Sequence, residues 1–231
     1  MLTEIALLSS PECAVIRDEV LGLRDLWTQR HPQLPFFTLR APSYLDAVDD
    51  VAAYRDQTAR TTPVLRARLG WLYERLRRGL AAELGQPAHY DDERSLPGFH
   101  VFFCHPAFRK VPASVHVDRQ FERLDWSAHA GADFLHPLSF TLPIALPALG
   151  AGLRVWEVLV GVGEHPSPAE LRERMAQSSP EVHSYTLGRL VLHSGNQVHQ
   201  IEPQRAADDT GERMTLQGHA IRCADGWHLY W

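Results

Sequence analysis

The 231-residue chain has few cysteines and no long apolar run, and each shortage restricts what the protein is. Its three cysteines, Cys13, Cys104 and Cys223, lie far apart without a Cys-x-x-Cys pair. This pattern favours reduced thiols in a cytoplasmic protein over a disulfide framework. No apolar segment reaches the length of a membrane span, and no basic region precedes an apolar core at the N-terminus. We therefore expect neither a transmembrane helix nor a signal peptide.

The chain also has no excess of positively charged residues. Lys and Arg total 23 against 28 Asp and Glu, which gives a formal net charge of −5 at pH 7. Proteins that bind a phosphate backbone concentrate positive charge, so nucleic acid is not an expected partner. Hydrophobic residues make up 45% of the chain and charged residues 22%, as is typical of a globular protein with a sizeable core.

The first part of the chain carries apolar residues at helical spacing. Ser10 predicts the start of a first helix whose apolar stripe runs to Trp27. A second predicted helix begins near Ser43 and includes Val48. The third pattern is the clearest and ends at Gly85, a typical C-terminal helix signal. Its stripe consists of Leu65, Leu69, Leu72, Leu76, Leu80 and Leu84.

From residue 96 the pattern changes to short segments rich in Val, Leu, Phe, Trp and Thr, separated by Gly, Pro, Ser and Asp. This spacing is typical of an all-β sandwich or barrel. We predict one domain over residues 1–231, in which residues 1–95 form a helical support and residues 96–231 form the β-rich core.

One helix is predicted to interrupt the β-rich part. Ser167 and Glu170 have the spacing of a capping box, with Pro168 at the first helical position. The helix falls within an insert at 161–180. We interpret the insert as a surface excursion, with a lid over a site as the alternative.

A His-x-Asp motif, His116 and Asp118, lies in an apolar, β-branched setting. In a strand, residues two apart point to the same face, so this pair offers two ligands to a divalent metal. Two histidines and one carboxylate leave open positions, which is the arrangement of non-haem Fe(II) oxygenases. His193 and His199 flank a predicted turn, and strand alternation alone does not decide which one supplies the third ligand.

Arg213 and Thr215 share one face of a later predicted strand. An arginine that points into a barrel is costly unless it is paired. A guanidinium with a hydroxyl beside it suits a carboxylate, which it holds through two parallel hydrogen bonds.

The order of these motifs resembles the Fe(II)- and 2-oxoglutarate-dependent dioxygenase superfamily. It comprises His-x-Asp, a distal histidine in "GRLVLHSGNQVHQIEP", and then "GERMT". The segment "GAGLRVWE", Gly150 to Glu157, resembles the family's Gly-Gly-x-Leu-x-x-Trp-like strand. The resemblance covers about residues 96–223. It implies an α+β to mainly β fold: a double-stranded β-helix (jelly-roll, cupin-like) core with N-terminal supporting helices.

The resemblance also assigns roles to residues. It makes His116, Asp118 and His199 the catalytic iron ligands, whereas His193 stands where the family often has an aromatic residue. It places the distal carboxylate of 2-oxoglutarate on Arg213, with Thr215 beside it. The implied cofactors are Fe(II), 2-oxoglutarate and O2. Family halogenases lack the carboxylate that Asp118 supplies here, so hydroxylation is the favoured outcome.

Four further residues are candidates for contacts within the site. His105 stands just before the His-x-Asp motif and is assigned to the cosubstrate or to iron-bound water, with a strand-end histidine near a turn as the alternative. Arg119 and Gln120 follow Asp118, and Trp126 lies in a long polar loop. We assign these three residues to substrate binding.

The sequence thus predicts an oxidoreductase that hydroxylates a small molecule, such as an amino acid or a natural-product-like metabolite, and releases succinate and CO2. One alternative keeps the chemistry but makes the substrate a protein side chain. Another is a non-catalytic β-helix protein that binds a ligand or partner. We expect no nucleic-acid or membrane partner, and a monomer or a homodimer.

Overall fold

The computed structural model describes residues 2–47, 50–90, 94–110, 114–203 and 211–231. Within these ranges it contains five α-helices and twelve β-strands. The helices are α1 (Ser10–Leu21), α2 (Ser43–Asp46), α3 (Val51–Leu84), α4 (Ala107–Lys110) and α5 (Pro168–Met175). The strands are β1 (Thr3–Ala6), β2 (Trp27–Gln29), β3 (Phe36–Leu39), β4 (Ala88–Tyr90), β5 (Gly98–Phe103), β6 (Asp133–Ala145), β7 (Leu153–Leu159), β8 (Glu181–His183), β9 (Arg189–Ser194), β10 (Gln197–Ile201), β11 (Glu212–Cys223) and β12 (Gly226–Tyr230).

The strands form two sheets. The larger sheet has the order β1-β9-β6-β11-β5-β3-β2, and β12 pairs with both β11 and β4. The smaller sheet has the order β10-β7-β8. Every pairing is antiparallel except that of β12 with β4. This arrangement is a double-stranded β-helix, or jelly-roll, so the fold class predicted from the sequence is confirmed.

Alternation along the central strands gives the larger sheet one apolar and one polar face. On β11, Met214 and Leu216 join the main hydrophobic cluster, which also contains the α3 leucines. Their neighbours Gln217 and His219 line an internal cavity. The same division recurs on β5 and β6. Helix packing on one face therefore fixes which side chains the strands present to the site.

Residues 1–95 are not purely helical, so that part of the prediction was incomplete. β1 pairs with β9, β2 and β3 extend the larger sheet beyond β5, and β4 pairs with β12. These four strands have only three or four residues each, too few for a periodic signal. Pairing with partners distant in sequence stabilises β1, β3 and β4, whereas β2 pairs with the nearby β3.

Two helix boundaries also differ from the prediction. α1 is capped by Ser9, whose capping box includes Glu12, and it ends at Leu21, so Trp27 lies on β2 instead. The predicted second helix is divided between α2 and α3, and Val48 lies outside the described residues. α3 ends at Gly85 in the left-handed conformation, as predicted. No helix in the described ranges is long and apolar enough to cross a membrane.

Candidate metal centre

A cavity of about 630 Å³ is lined by residues from both sheets and from the segments around them. His116, Asp118 and His199 lie on its wall. Each offers one ligand atom, and the three atoms lie within 4.8 Å of one another. The structure therefore brings together the three residues that the sequence suggested as metal ligands.

The His-x-Asp segment is extended but does not form a regular strand as predicted. His116 makes one isolated bridge to His199, in which each backbone N–H donates to the other residue's carbonyl at 3.0 and 2.9 Å. The Asp118 N–H donates to the Gly195 carbonyl at 2.7 Å. A 3-10 turn, Gln120–Arg123, then ends the extended segment. These three backbone hydrogen bonds fix the motif against the β9–β10 turn.

The histidine side chains are held with Nε2 towards Asp118. Nδ1 of His116 is 2.8 Å from the Ser114 carbonyl, and Nδ1 of His199 is 2.8 Å from the Gln197 carbonyl. A carbonyl accepts only from N–H, so each Nδ1 carries a proton and each Nε2 presents its lone pair. His116 Nε2 lies 3.7 Å from Asp118 Oδ1, and His199 Nε2 lies 3.4 Å from Asp118 Oδ2.

The charges at this cluster suit a cation. Burial acts to raise the pKa of Asp118, but His199, His219 and His116 together hold it well below its usual value. Burial lowers the pKa of His116. For His199 burial also acts to lower the pKa, yet the Asp118 carboxylate outweighs it and the pKa is raised. Asp118 is thus an ionised, buried carboxylate, and a metal ion bound between it and the two histidines would supply the positive partner.

One further side chain contacts the Asp118 carboxylate, and a second lies near it. Gln120 Nε2 donates to Asp118 Oδ1 at 3.1 Å, and His219 Nδ1 lies 3.9 Å from Asp118 Oδ2. Ser139 Oγ, 3.1 Å from the same His219 nitrogen, orients that ring. Gln120 was assigned to substrate binding; it lines the cavity, but its amide contacts the carboxylate.

His193 is the alternative third ligand, and the structure places it next to the cluster. Its ring centre lies 4.6 Å from that of His199. Among the described residues, the two groups with metal-binding geometry do not include His193. Burial, followed by the neighbouring His199, lowers its pKa to about 3. The geometry therefore favours His199 as the third ligand.

Arg213 is a buried cation without a carboxylate partner in the described part of the chain. Its Nε donates to the Ala151 carbonyl and its Nη1 donates to Thr215 Oγ1, both at 3.2 Å. Nη2 has no hydrogen-bond partner among the described residues. Burial lowers the pKa of this guanidinium. An unpaired buried cation of this kind is stabilised by an anionic ligand.

Phe102 and Tyr185 lie beside the guanidinium at the cavity wall. Both side chains line the cavity, and each ring centre lies 5.7 Å from the guanidinium carbon of Arg213. Burial raises the pKa of Tyr185, while Arg213 and a hydrogen bond with Thr141 act to lower it. The hydroxyls of Thr141, Tyr185 and Thr215 thus surround one polar end of the site.

Two predicted contact residues lie outside the cavity wall. His105 follows the end of β5, and its Nδ1 accepts from the Ala107 N–H at 3.2 Å, which makes it the strand-end histidine of the alternative interpretation. Arg119 turns away from the cavity to the 161–164 segment, where it donates to the Gly161 and Glu164 carbonyls. The predicted cosubstrate role of His105 and substrate role of Arg119 are not supported by this geometry.

Trp126 is a core residue and does not lie at the cavity mouth. Its side chain is buried, its indole N–H donates to the Phe121 carbonyl, and its ring packs against Phe134 and Tyr230. This geometry does not support the predicted substrate contact of Trp126.

Several cavity residues were missed by the sequence analysis. His100, Gln217 and His219 all line the cavity. A period of two from Arg213 and Thr215 reaches Gln217 and His219 directly, so their positions carried a signal. Tyr185 lies outside any strand, between β8 and β9, and strand periodicity gives no indication of its orientation.

His100 makes the stability of the protein depend on pH. Burial lowers its pKa to about 3, and its Nε2 is 2.7 Å from the Tyr44 hydroxyl. An unfolded histidine has a pKa of about 6.5, so the free energy of unfolding decreases as the pH falls from that value towards the folded pKa. Between about pH 7 and 5.5, this effect lowers the unfolding free energy of the wild type by about 1 kcal/mol. We expect the His100→Gln variant to lack this part of the decrease. Urea denaturation of metal-free protein at both pH values measures it, and equal losses would contradict the assignment.

No model of a known protein family matches the chain, and no curated protein sequence matches it. Solved structures do match. An N-substituted L-amino acid dioxygenase from Burkholderia ambifaria gives a TM-score of 0.60 at 17% identity, over 100% of this chain and 86% of that one. The same values hold for that dioxygenase in complex with alpha-KG.

A second solved structure is more distant. SnoK, a non-heme alpha ketoglutarate dependent carbocyclase from nogalamycin biosynthesis, gives a TM-score of 0.51 at 12% identity. The match covers 97% of this chain and 82% of SnoK. At such identities the likeness establishes the shared fold.

Proposed function

We propose that the protein is an Fe(II)- and 2-oxoglutarate-dependent dioxygenase that oxidises a small molecule. The proposal rests on one observation, which is the position of two features at the same cavity. A His-Asp-His cluster with its lone pairs converging lies on the wall of a cavity, and an uncompensated buried arginine lies behind another part of that wall. The first suits a metal ion with open positions, and the second suits a carboxylate.

The residues present fit Fe(II). Two neutral imidazoles and one ionised carboxylate form the set of donors that non-haem iron sites use. Only three protein ligands are grouped here in the described residues, which leaves positions for a bidentate cosubstrate and for dioxygen. His116, Asp118 and His199 would hold the metal, with Gln120 orienting the carboxylate.

The residues also fit 2-oxoglutarate. Arg213 Nη2, buried and without a partner among the described residues, would donate to the distal carboxylate. Thr215 already accepts from Nη1 of the same guanidinium, which holds its plane in place. The Tyr185 and Thr141 hydroxyls are further possible donors to a carboxylate.

When bound, Fe(II) and 2-oxoglutarate supply the oxidising chemistry that adds oxygen from O2 to a substrate C–H bond and releases succinate and CO2. The protein's own residues supply placement and a dry environment. Phe36, Phe102 and Phe108 line the cavity and limit the access of water. Arg213 holds one end of the cosubstrate, so that its other end is directed to the metal.

A small-molecule substrate follows from the shape and lining of the cavity. Its volume of about 630 Å³ is in the range of small-ligand sites, and aromatic rings alternate with a few polar groups such as His100, Gln217 and Tyr44. The solved structures of the same fold, an N-substituted L-amino acid dioxygenase and a carbocyclase, support this class. An amino-acid derivative or a natural-product-like metabolite is the substrate we infer.

Turnover of metabolite pools tests the proposal. We expect the iron-loaded protein to convert one pool member to a product heavier by one oxygen atom, with equimolar succinate from 2-oxoglutarate. His116→Ala, folded but inactive, is the control. Product that forms without 2-oxoglutarate would contradict the proposed chemistry. Oxygen incorporated only into added peptides would contradict the substrate class but not the chemistry.

Gln120 provides a smaller test of the metal centre. Gln120→Leu removes the donor at 3.1 Å from Asp118 Oδ1 while keeping a similar side-chain volume. Because loss of an outer-sphere hydrogen bond weakens metal binding, we expect Fe(II) affinity to fall about tenfold. A chelator competition assay measures the affinity. A fall of the same size in 2-oxoglutarate affinity at saturating iron would show that Gln120 acts elsewhere in the cavity.

A further inference from the structure

A second cluster of possible metal ligands lies at the end of β11. Ligand atoms of His129, Cys223 and His228 all lie within 4.8 Å of one another. None of the three lines the cavity. Cys223 follows His219 by four residues along one strand, or roughly 13 Å, so this cluster is separate from the candidate iron site.

Three different segments converge at this cluster. Cys223 ends β11, His228 lies on β12, and the two strands are paired from Cys223–Gly226 onward. The loop that carries His129 is held against this hairpin by the Ala224 N–H, which donates to the Ala130 carbonyl at 2.8 Å. The rings of His129 and His228 have centres 4.2 Å apart. The arrangement is therefore fixed by backbone pairing and not by one flexible chain segment.

The His228 ring has the orientation that is typical of metal-binding histidines. It is only 5% exposed, and its Nε2 is 2.9 Å from the Asp225 carboxylate. A carboxylate accepts, so Nε2 carries the proton and Nδ1 has a free lone pair. Nδ1 is buried and has no partner in the described part of the chain. A carboxylate that fixes the proton on one ring nitrogen, while the other faces a ligand, is typical of metal sites.

The other two ligands are compatible with a metal ion. Cys223 is 6% exposed, so its sulfur lies in a protected position. His129 Nε2 accepts from Arg94 Nη1 at 2.9 Å, so that nitrogen is unprotonated. A metal ion at His129 Nε2 would replace the hydrogen bond from Arg94. Arg94 would keep its stacking on Trp126, 3.9 Å from the ring centre, and its bond to the Asp125 carbonyl.

We propose that His129, Cys223 and His228 bind a transition metal ion of the zinc class, with Asp225 as a positioning residue. One sulfur and two imidazole nitrogens suit Zn²⁺ or Co²⁺ and do not suit Mg²⁺ or Ca²⁺. Binding forms a metal–sulfur bond and releases the thiol proton to solvent. The ion ties the 126–131 loop to the β11–β12 hairpin. This inference does not depend on the proposed enzyme activity.

Cobalt titration of the full chain tests the proposal. The candidate iron site has no sulfur ligand, so a thiolate-to-cobalt charge-transfer band in the near ultraviolet reports the second site alone. In His116→Ala, where the candidate iron site lacks a ligand, we expect the band to saturate at one Co²⁺ per chain and to disappear when Zn²⁺ is added. Cys223→Ser abolishes the band, whereas the matched control Cys104→Ser retains it. The band also persists in His116→Ala, which separates this result from any failure of the iron site.

Two milder variants keep the test decisive if Cys223→Ser folds poorly. His129 is only partly buried, so His129→Gln is expected to fold, and it lowers Co²⁺ affinity at least tenfold. Asp225→Asn leaves every ligand in place and lowers the affinity about tenfold to a hundredfold. Folded wild-type protein that gives no thiolate band overturns the proposal. So does a band of unchanged strength in Cys223→Ser, or an unchanged Co²⁺ affinity in His129→Gln.

Discussion

Replacing His199 by alanine is expected to reduce Fe(II) affinity by more than about a hundredfold and to bring turnover below detection. His199 is at the centre of the cluster. Its Nε2 is 3.4 Å from Asp118, its ring is 4.4 Å from that of His116, and its backbone pairs with His116. Loss of an outer-sphere partner already weakens metal sites tenfold to a hundredfold, so loss of a ligand must exceed that.

His193→Ala is the matched control for this prediction. His193 is also buried, and its ring is 4.6 Å from that of His199, but it is outside the metal-binding group of the described residues. We expect His193→Ala to keep Fe(II) affinity within about tenfold of the wild type. Chelator competition measures both variants, with circular dichroism as the check on folding. If His193→Ala lost iron and His199→Ala kept it, the ligand assignment would be reversed.

Replacing Arg213 by alanine is expected to raise the 2-oxoglutarate concentration needed for half-maximal binding about a hundredfold. The guanidinium is the buried cation behind the cavity wall, and one of its nitrogens has no partner in the described residues. A charge-assisted hydrogen bond contributes about 1.5–3 kcal/mol, and the upper part of that range corresponds to a change of about a hundredfold. Fe(II) affinity is expected to change little, because Arg213 contacts none of the three ligands.

Arg222→Ala is the control on the same strand. Arg222 is half-exposed and pairs with Asp133 at 2.7 Å, away from the cavity. Its removal should leave the affinity for 2-oxoglutarate unchanged. Equilibrium dialysis of labelled 2-oxoglutarate against iron-loaded protein, without oxygen, compares the two variants. Equal affinity in Arg213→Ala and Arg222→Ala would mean that another group holds the carboxylate.

Much of the fold and of the site was predictable from local pattern. The leucine stripe of α3, its end at Gly85 and the Ser167–Glu170 capping box all appear where the spacing places them. Alternation correctly put Arg213 and Thr215 side by side. These features depend on residues that are close in sequence, and their physical causes act over the same short range.

Features that depend on distant pairing were less predictable. Three of the four N-terminal strands are stabilised by partners far away in sequence, namely β9 for β1, β5 for β3 and β12 for β4. Trp126 stands in a polar loop, yet a buried aromatic cluster with Phe134 and Tyr230 takes up its ring. Sequence spacing does not predict such contacts.

Residues beside a motif illustrate the same limit. Arg119 and Gln120 both follow Asp118, but the 3-10 turn that begins at Gln120 directs them differently. Gln120 reaches the Asp118 carboxylate, and Arg119 reaches the carbonyls of the 161–164 segment. Adjacency to a ligand therefore predicts proximity to the site but not the contact that is made.

An anaerobic titration of metal-free protein with Fe(II) and 2-oxoglutarate tests the central claim most directly, because the chelate has a weak visible metal-to-ligand charge-transfer band. We predict that the band forms in the wild type and in His193→Ala. It should be absent from His199→Ala, and in Arg213→Ala it should require about a hundredfold more 2-oxoglutarate. Well-folded wild-type protein that forms no band with both ligands in excess would contradict the assignment of this cavity to iron and 2-oxoglutarate.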